Sequence, residues 1–167
     1  MDGGVHRERT TLTRIVTTPW TSPAPTITWV TIMATRPEAP VLVVEDEPAV
    51  RDAMISFLES DGYNALGAGN GEEAFDLLRR GLRPCMILLD LGMPVMDGKE
   101  FRAEQVRHEP FAMIPVIVFS GLPNAEQVAS SLCAVAALKK PVNFDRLLRL
   151  LEEHCSCEAQ VTRTILH

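Results

Sequence analysis

The chain has 167 residues, which is enough for one domain of ordinary size with tails and too few for two full domains. Hydrophobic residues make up 46% of it and aromatic residues 5%, so we expect a core built from Leu, Val, Ile, Ala and Met. The formal net charge of -6 does not suit non-specific binding to nucleic acid or to an anionic membrane surface.

The first part of the chain has no pattern of secondary structure. Residues 1–39 are rich in Thr and Pro and show no sustained helix or strand period, so we interpret them as a disordered or non-native extension. Residues 15–35 are uncharged, but their prolines and threonines exclude both a membrane span and a signal peptide. These features predict a cytoplasmic protein.

The cysteines show no paired framework of the kind that small secreted domains use. Cys85 lies in an apolar run and Cys133 in a helical pattern, so both are predicted to be buried thiols in a reducing compartment. His154, Cys155 and Cys157 lack a second pair of metal ligands. Residues 154–167 are therefore interpreted as a C-terminal tail and not as a metal site.

From residue 40 to residue 153 short apolar runs alternate with helical patterns. The runs, which predict strands, are residues 41–44, 63–67, 85–89, 115–119 and 135–138. Most are continuously apolar, which is typical of parallel strands that are covered on both faces. Residues 40–153 are thus predicted to form the folded domain.

The helical patterns differ in strength. The first has its apolar face at Val50, Met54, Phe57 and Leu58. Asn70 is placed to cap the second helix, and Glu73 completes a capping-box-like pair. Residues 99–107 and 124–132 give weaker patterns. The fifth helix follows Asn143 and has the clearest apolar face, at Phe144, Leu147, Leu148 and Leu151.

Strands that alternate with helices predict an α/β fold with a doubly wound parallel sheet. In such sheets the chemistry lies at the carboxyl ends of the strands. The polar or small residues that follow the predicted strands are Glu45, Asp46, Glu47, Asp90, Ser120, Gly121 and Lys140. Any one of them alone is more often a helix cap or a dipole partner than a site residue. Their joint occurrence at one sheet edge predicts a functional site.

The acidic residues indicate a metal. Glu45, Asp46 and Asp90 would repel one another if they met without a cation. Mg²⁺ prefers oxygen ligands, keeps several waters and takes one or two carboxylates together with phosphate oxygens. An acidic cluster at a sheet edge therefore predicts Mg²⁺ as the cofactor.

Phosphoryl transfer suits the remaining groups. Asp90 ends a buried strand and would attack a phosphoryl donor, since carboxylates form acyl phosphates and the reaction needs mainly positioning and charge neutralisation. Lys140 supplies a charge for the phosphoryl oxygens, and Ser120 supplies a hydroxyl donor. Gly121 lets the backbone approach closely.

Four segments resemble one family in the same order. VLVVEDEPAVRD, CMILLDLGMPVMDG, PVIVFSG and LKKP are similar to the first, third, fourth and fifth strand ends of response-regulator receiver domains of two-component phosphorelays. The resemblance covers about residues 40–153. It implies a flavodoxin-like sheet in the order 2-1-3-4-5 with helices on both faces. Only about fourteen residues follow Glu153, too few for a helix-turn-helix module, so we expect a stand-alone domain that acts through partners.

The resemblance also implies the roles of the site residues. Asp90 would receive phosphate from a histidine kinase or phosphotransfer protein, and Mg²⁺ would be held by Glu45, Asp46, Asp90 and the backbone carbonyl of Gly92. Ser120 would turn toward the phosphoryl group. Lys140, which directly precedes Pro141 in a bond that the family suggests is cis, is preferred to Lys139 as its partner.

One position departs from the family. Receiver domains often have an aromatic residue three places before the lysine, and here that position is Ala137. Movement of the loop after Ser120 and of the helix that follows would then have to carry the output. Gly92 and Leu122 flank the expected site, and we hypothesise that they alter access of water and so the lifetime of the phosphate.

Three alternatives remain at this point. An aspartate-nucleophile phosphatase would carry Asp-x-Asp after the first strand, whereas this chain has Glu45, Asp46 and Glu47 there. A pseudo-receiver would be a scaffold that is never phosphorylated. A flavin-binding domain would need a phosphate-cradling Gly or Ser run, which the short first loop does not offer.

Overall fold

A computed structural model describes residues 38–155 of the chain. The predicted extension therefore lies almost wholly outside the described residues, as does most of the predicted tail. The strands are β1 (Val41–Val44), β2 (Ala65–Ala68), β3 (Met86–Asp90), β4 (Val116–Ser120) and β5 (Ala136–Lys139). The helices are α1 (Pro48–Ser60), α2 (Gly71–Arg79), α3 (Gly98–Gln105), α4 (Glu109–Ala112), α5 (Ala125–Ser131) and α6 (Phe144–His154).

The strands form one parallel sheet in the order β2-β1-β3-β4-β5. Every residue of β1, β3 and β4 is buried, because helices cover both faces of the sheet. Side chains of α1 and α6 pack on one face, and those of α2, α3, α4 and α5 pack on the other. The predicted fold class and strand order are confirmed.

Local sequence patterns predicted the position of most helices and strands. The side chain of Asn70 accepts a hydrogen bond from the Glu73 amide at 2.9 Å, as its position predicted. Asn143 caps α6 in the same way through the Arg146 amide. Strands β2 to β5 end at or within one residue of the predicted ends.

Helix α4 was not predicted. It has a single turn with a proline in it, and polar contacts from α3 hold it in place. The Gln105 side-chain amide donates to the carbonyls of Phe111 at 2.9 Å and Ile114 at 3.1 Å. Such contacts join a side chain to a distant backbone and leave no period in the sequence.

The predictions for the cysteines were wrong. Cys85 and Cys155 form a disulfide bond between the start of β3 and the end of α6, with their Cα atoms 5.3 Å apart. Cys133 is exposed, because it follows α5 in a left-handed conformation with a φ of 50°. Cys155 is buried directly after α6, where the sequence had suggested a tail.

Among the helices that the structure describes, none has the length and apolar character needed to cross a bilayer.

Candidate functional site

The carboxyl ends of four strands bring the predicted polar residues together. Asp90 and Ser120 are the last residues of β3 and β4, and Glu45 and Lys140 directly follow β1 and β5. The parallel register aligns these ends, since Val44 pairs with Leu89 in the central strands. Because the strand order reverses between β1 and β3, the cluster lies at the position where such sheets bind ligands.

Lys140 joins two of the acidic residues. Its Nζ lies 2.8 Å from Glu45 Oε2 and 2.8 Å from Asp90 Oδ2. Both carboxylates are buried, whereas the Lys140 side chain is 31% exposed. The lysine is thus the cation that balances two carboxylates at the bottom of the site.

These contacts shift the pKa values. Burial raises the pKa of Glu45 above its usual value, with the nearby Asp90 charge adding to the effect and the hydrogen bond from Lys140 opposing it. For Lys140 burial alone would lower the pKa, but hydrogen bonds to Asp90 and Glu45 outweigh burial and raise it. Lys140 therefore stays charged at neutral pH.

The same edge of the sheet fits a divalent cation. Oxygen atoms of Glu45, Asp46 and Asp90 all lie within 4.8 Å of one another. Hard oxygen donors at this spacing suit Mg²⁺, and the partial exposure of Asp46 leaves room for water ligands. The residues present fit the metal that the sequence predicted.

Backbone amides fix the orientation of the Asp90 carboxylate. Its Oδ1 accepts hydrogen bonds from the amides of Leu91 at 2.7 Å and Gly92 at 3.3 Å. Since Lys140 occupies Oδ2, both oxygens have defined partners. Gly92 is exposed beside them, and a Cβ at this position would meet no atom within 4 Å.

Helix α3 begins against the backbone of the strand that carries Asp90. A Cβ at Gly98 would clash with the Asp90 carbonyl and lie 2.9 Å from Leu91 Cα, so this contact requires glycine. The Asp97 side chain caps the helix by accepting from the amides of Lys99 and Glu100, both at 2.8 Å. The cap holds α3 at the rim of the site.

A cavity of about 330 Å³ opens beside Asp90. It is lined by Asp90, Leu91, Gly92, Asp97, Lys99, Ser120, Gly121, Leu122 and Lys140. The buried Ser120 Oγ accepts a hydrogen bond from the Leu122 amide at 3.2 Å. The structure thus brings Asp90, Ser120, Gly121 and Lys140 together around one cavity, with the acidic cluster next to it.

Sequence reasoning did not single out Lys99, Asp97 or Arg51. Arg51 Nη1 donates to the Glu45 carbonyl at 2.7 Å and so supports the acidic loop from α1. The Asp-Gly pair before Lys99 was a signal for a capped helix start next to the site.

Glu47 takes no part in the acidic cluster and precedes α1 as its N-cap residue.

A second cavity lies on the other side of the loop after β4. It measures about 390 Å³, and its lining includes Leu122, Glu126, Ala137, Lys139 and Arg146. Ala137 is buried in β5 opposite Val118.

The bond between Lys140 and Pro141 is cis, as the resemblance suggested.

The chain is similar in sequence to several known proteins. An uncharacterized 14.6 kDa protein of Leptolyngbya boryana is 34% identical over 126 residues, which cover 74% of this chain and 95% of that protein. A protein-glutamate methylesterase/protein-glutamine glutaminase of Nitrosospira multiformis is 37% identical over 99 residues, which are 58% of this chain and 27% of that enzyme. The match to the enzyme is therefore partial.

Two solved structures are similar as well. A response regulator receiver protein from Pseudomonas putida has a TM-score of 0.65 and 34% identity, and the match covers 72% of this chain and 98% of that one. A response regulator from Thermotoga maritima, determined in complex with Mg²⁺-BeF, has a TM-score of 0.60 and 30% identity over 68% of this chain and 96% of that one. The family model of the response regulator receiver domain matches residues 41–152, and the chain belongs to this family.

Proposed function

We propose that the protein is a phosphorylation-dependent signalling switch in which Asp90 accepts a phosphoryl group from a histidine kinase or phosphotransfer protein. The observation that carries the proposal is the position of Asp90, whose carboxylate is bound by Lys140, belongs to the acidic cluster and lines an open cavity. A carboxylate so placed is accessible to a donor and has a cation beside it.

Mg²⁺ would be held by Glu45, Asp46, Asp90 and the backbone carbonyl of Gly92. When bound, it would neutralise charge on the transferred phosphoryl group. An oxygen of Asp90 attacks phosphorus while the bond to the donor breaks, and the leaving group keeps the electron pair. The amides of Leu91 and Gly92 orient the carboxylate during this step.

Two further groups would receive the phosphoryl oxygens. Lys140 exchanges its contact with Asp90 for one with the new phosphate, since its three donors and flexible stem allow this. The Ser120 hydroxyl donates to a phosphoryl oxygen, and Gly121 leaves space for the approach. Movement of Ser120 would displace Leu122 and the start of α5, because the Leu122 amide is bonded to this hydroxyl.

A partner protein would bind the surface that phosphorylation changes. The surface formed by α5, β5 and α6 is the docking face that the family resemblance suggests, and the second cavity lies there. The net charge of -6 argues against nucleic acid or an anionic membrane as the partner. We propose a cytoplasmic location for the protein.

The role is that of a binding module, in which self-phosphorylation and autodephosphorylation are the only reactions. A phosphatase with an aspartate nucleophile is not favoured, because Glu45 occupies the position after β1 where that nucleophile would stand. A scaffold that is never phosphorylated has no need of Asp90, Ser120 and Lys140 around one cavity.

Incubation with Mg²⁺ and acetyl phosphate tests the proposal. We expect one acid-stable, base-labile phosphoryl adduct per chain, lost in Asp90→Asn and retained in the control Asp76→Asn, which changes an exposed residue of α2. No adduct would favour the scaffold. Steady release of many phosphates per second would favour the phosphatase.

A further inference from the structure

The cavity beside Asp90 carries two lysines from different elements. Lys140 is bonded to both Asp90 and Glu45. Lys99 lies in the first turn of α3 and is exposed, and its ammonium forms no ion pair with any residue in the 38–155 range. The wall of the cavity that faces α3 therefore has a cation available for an incoming ligand.

The backbone of Lys99 is fixed relative to the phosphate acceptor. Gly98 packs against the Asp90 carbonyl, and its amide donates to the Leu91 carbonyl at 3.4 Å. The Asp97 side chain accepts from the Lys99 amide at 2.8 Å. The stem of Lys99 thus starts from a defined point at the rim, while its ammonium is free to follow a ligand.

The charge balance of the site gives this lysine a role. Glu45, Asp46 and Asp90 are three carboxylates, and Lys140 compensates for only part of their charge. A phosphodonor is itself an anion, so it is repelled on entering the cavity. Mg²⁺ at the acidic cluster would reduce that repulsion, and Lys99, which lines the same cavity, would reduce it further.

We propose that Lys99 binds the anionic phosphodonor at the cavity and favours donors of high negative charge. The inference rests on the proposed function of Asp90. With an acyl phosphate, the bond from Asp90 to phosphorus forms, the phosphorus–oxygen bond to the acyl group breaks, and the carboxylate leaves with the electron pair. Lys99 contacts the donor before and during this transfer.

The test compares two small donors at saturating Mg²⁺. Acetyl phosphate is a dianion at neutral pH, whereas the ammonium group of phosphoramidate lowers its net charge. In Lys99→Met we expect the second-order rate constant of adduct formation with acetyl phosphate to fall about fivefold, and that with phosphoramidate to fall less. The rate with acetyl phosphate should also depend less steeply on ionic strength.

Two variants serve as controls. Lys99→Arg keeps the charge and should retain most of the rate. Arg107→Met removes an exposed cation that lies outside this cavity, and should leave both rates unchanged. The urea midpoint of Lys99→Met should equal that of the unmodified protein, because the exposed side chain forms no ion pair with the described residues.

Each other result contradicts the proposal in a different way. Rates for Lys99→Met equal to those for Arg107→Met would reject binding by Lys99 and leave the function of Asp90 intact. An equal fall with both donors would reject the preference for highly charged donors. If the unmodified protein forms no adduct on Asp90, the proposed function fails and this inference fails with it.

Discussion

The Lys140 ammonium lies at the same distance, 2.8 Å, from Glu45 Oε2 and from Asp90 Oδ2. One cation therefore joins residues that lie 95 and 50 positions away in the chain. Because both carboxylates are buried, their charges cost free energy wherever this cation is missing.

Lys140→Met should destabilise the protein mainly when Mg²⁺ is absent. We expect the free energy of unfolding to fall by about 2 kcal/mol, less than for a fully buried pair because water reaches the lysine. Mg²⁺ should restore much of the loss by supplying the missing positive charge. Urea denaturation with and without Mg²⁺ measures both effects, with Lys139→Met as the matched control. Equal losses in the two conditions would show that Mg²⁺ does not replace the charge of Lys140.

Gly98→Ala should displace the start of α3 from β3. The added methyl group meets backbone atoms of Asp90 and Leu91, which cannot rotate away as a side chain could. We expect the free energy of unfolding to fall by about 3 kcal/mol. Gly121→Ala is the control for stability, because its Cβ would meet no atom within 4 Å. Equal urea midpoints for the two variants would contradict the tight packing of α3.

Arg102→Met should loosen the end of α5. The buried guanidinium donates to the carbonyls of Leu132 at 2.9 Å and Cys133 at 3.0 Å, and to Gln105 Oε1 at 2.8 Å. Carbonyls at a helix end have no partner within the helix, so we expect a loss of about 2 kcal/mol. Amide hydrogen exchange in α5 should become faster. The exposed Arg107→Met should change neither quantity, because its ion pair with Glu104 is in water.

Leu122→Gln and Gly92→Asn should shorten the lifetime of the phosphorylated state. Leu122 and Gly92 both line the cavity beside Asp90. Leu122 has an apolar side chain and Gly92 has none, so neither residue offers a polar side chain that could position a water molecule for attack on phosphorus. A polar side chain there would accept a hydrogen bond from such a water. Autodephosphorylation followed after removal of the donor gives the lifetime. Unchanged lifetimes in both variants would reject a role of these positions in water access.

The sequence was sufficient to predict the sheet and the residues at its edge. Strands covered on both faces are apolar throughout, so a polar residue at the end of such a run marks the edge, as Asp90 and Ser120 do. The caps Asn70 and Asn143 were predictable because a capping side chain bonds an amide three residues away.

The features that were missed depend on contacts between distant parts of the chain. Arg102 bonds backbone carbonyls 30 and 31 residues away, and the disulfide joins cysteines 70 residues apart. Neither contact requires a particular residue type at adjacent positions in the sequence, so no local sequence pattern predicts it. In the sequence, Lys99 cannot be distinguished from other exposed helix residues. Its position at the cavity follows from the packing of Gly98 against Asp90 and Leu91.

The alanine at position 137 limits how a signal could leave the site. Alanine has no side-chain rotamers, so this position cannot switch between two side-chain orientations as an aromatic residue could. Information would instead have to travel as displacement of the main chain, from the end of β4 through the loop at Leu122 to α5. A partner protein that binds at the second cavity, which Ala137 lines, would then meet a changed shape. Its affinity would depend on how far the loop at Leu122 moves.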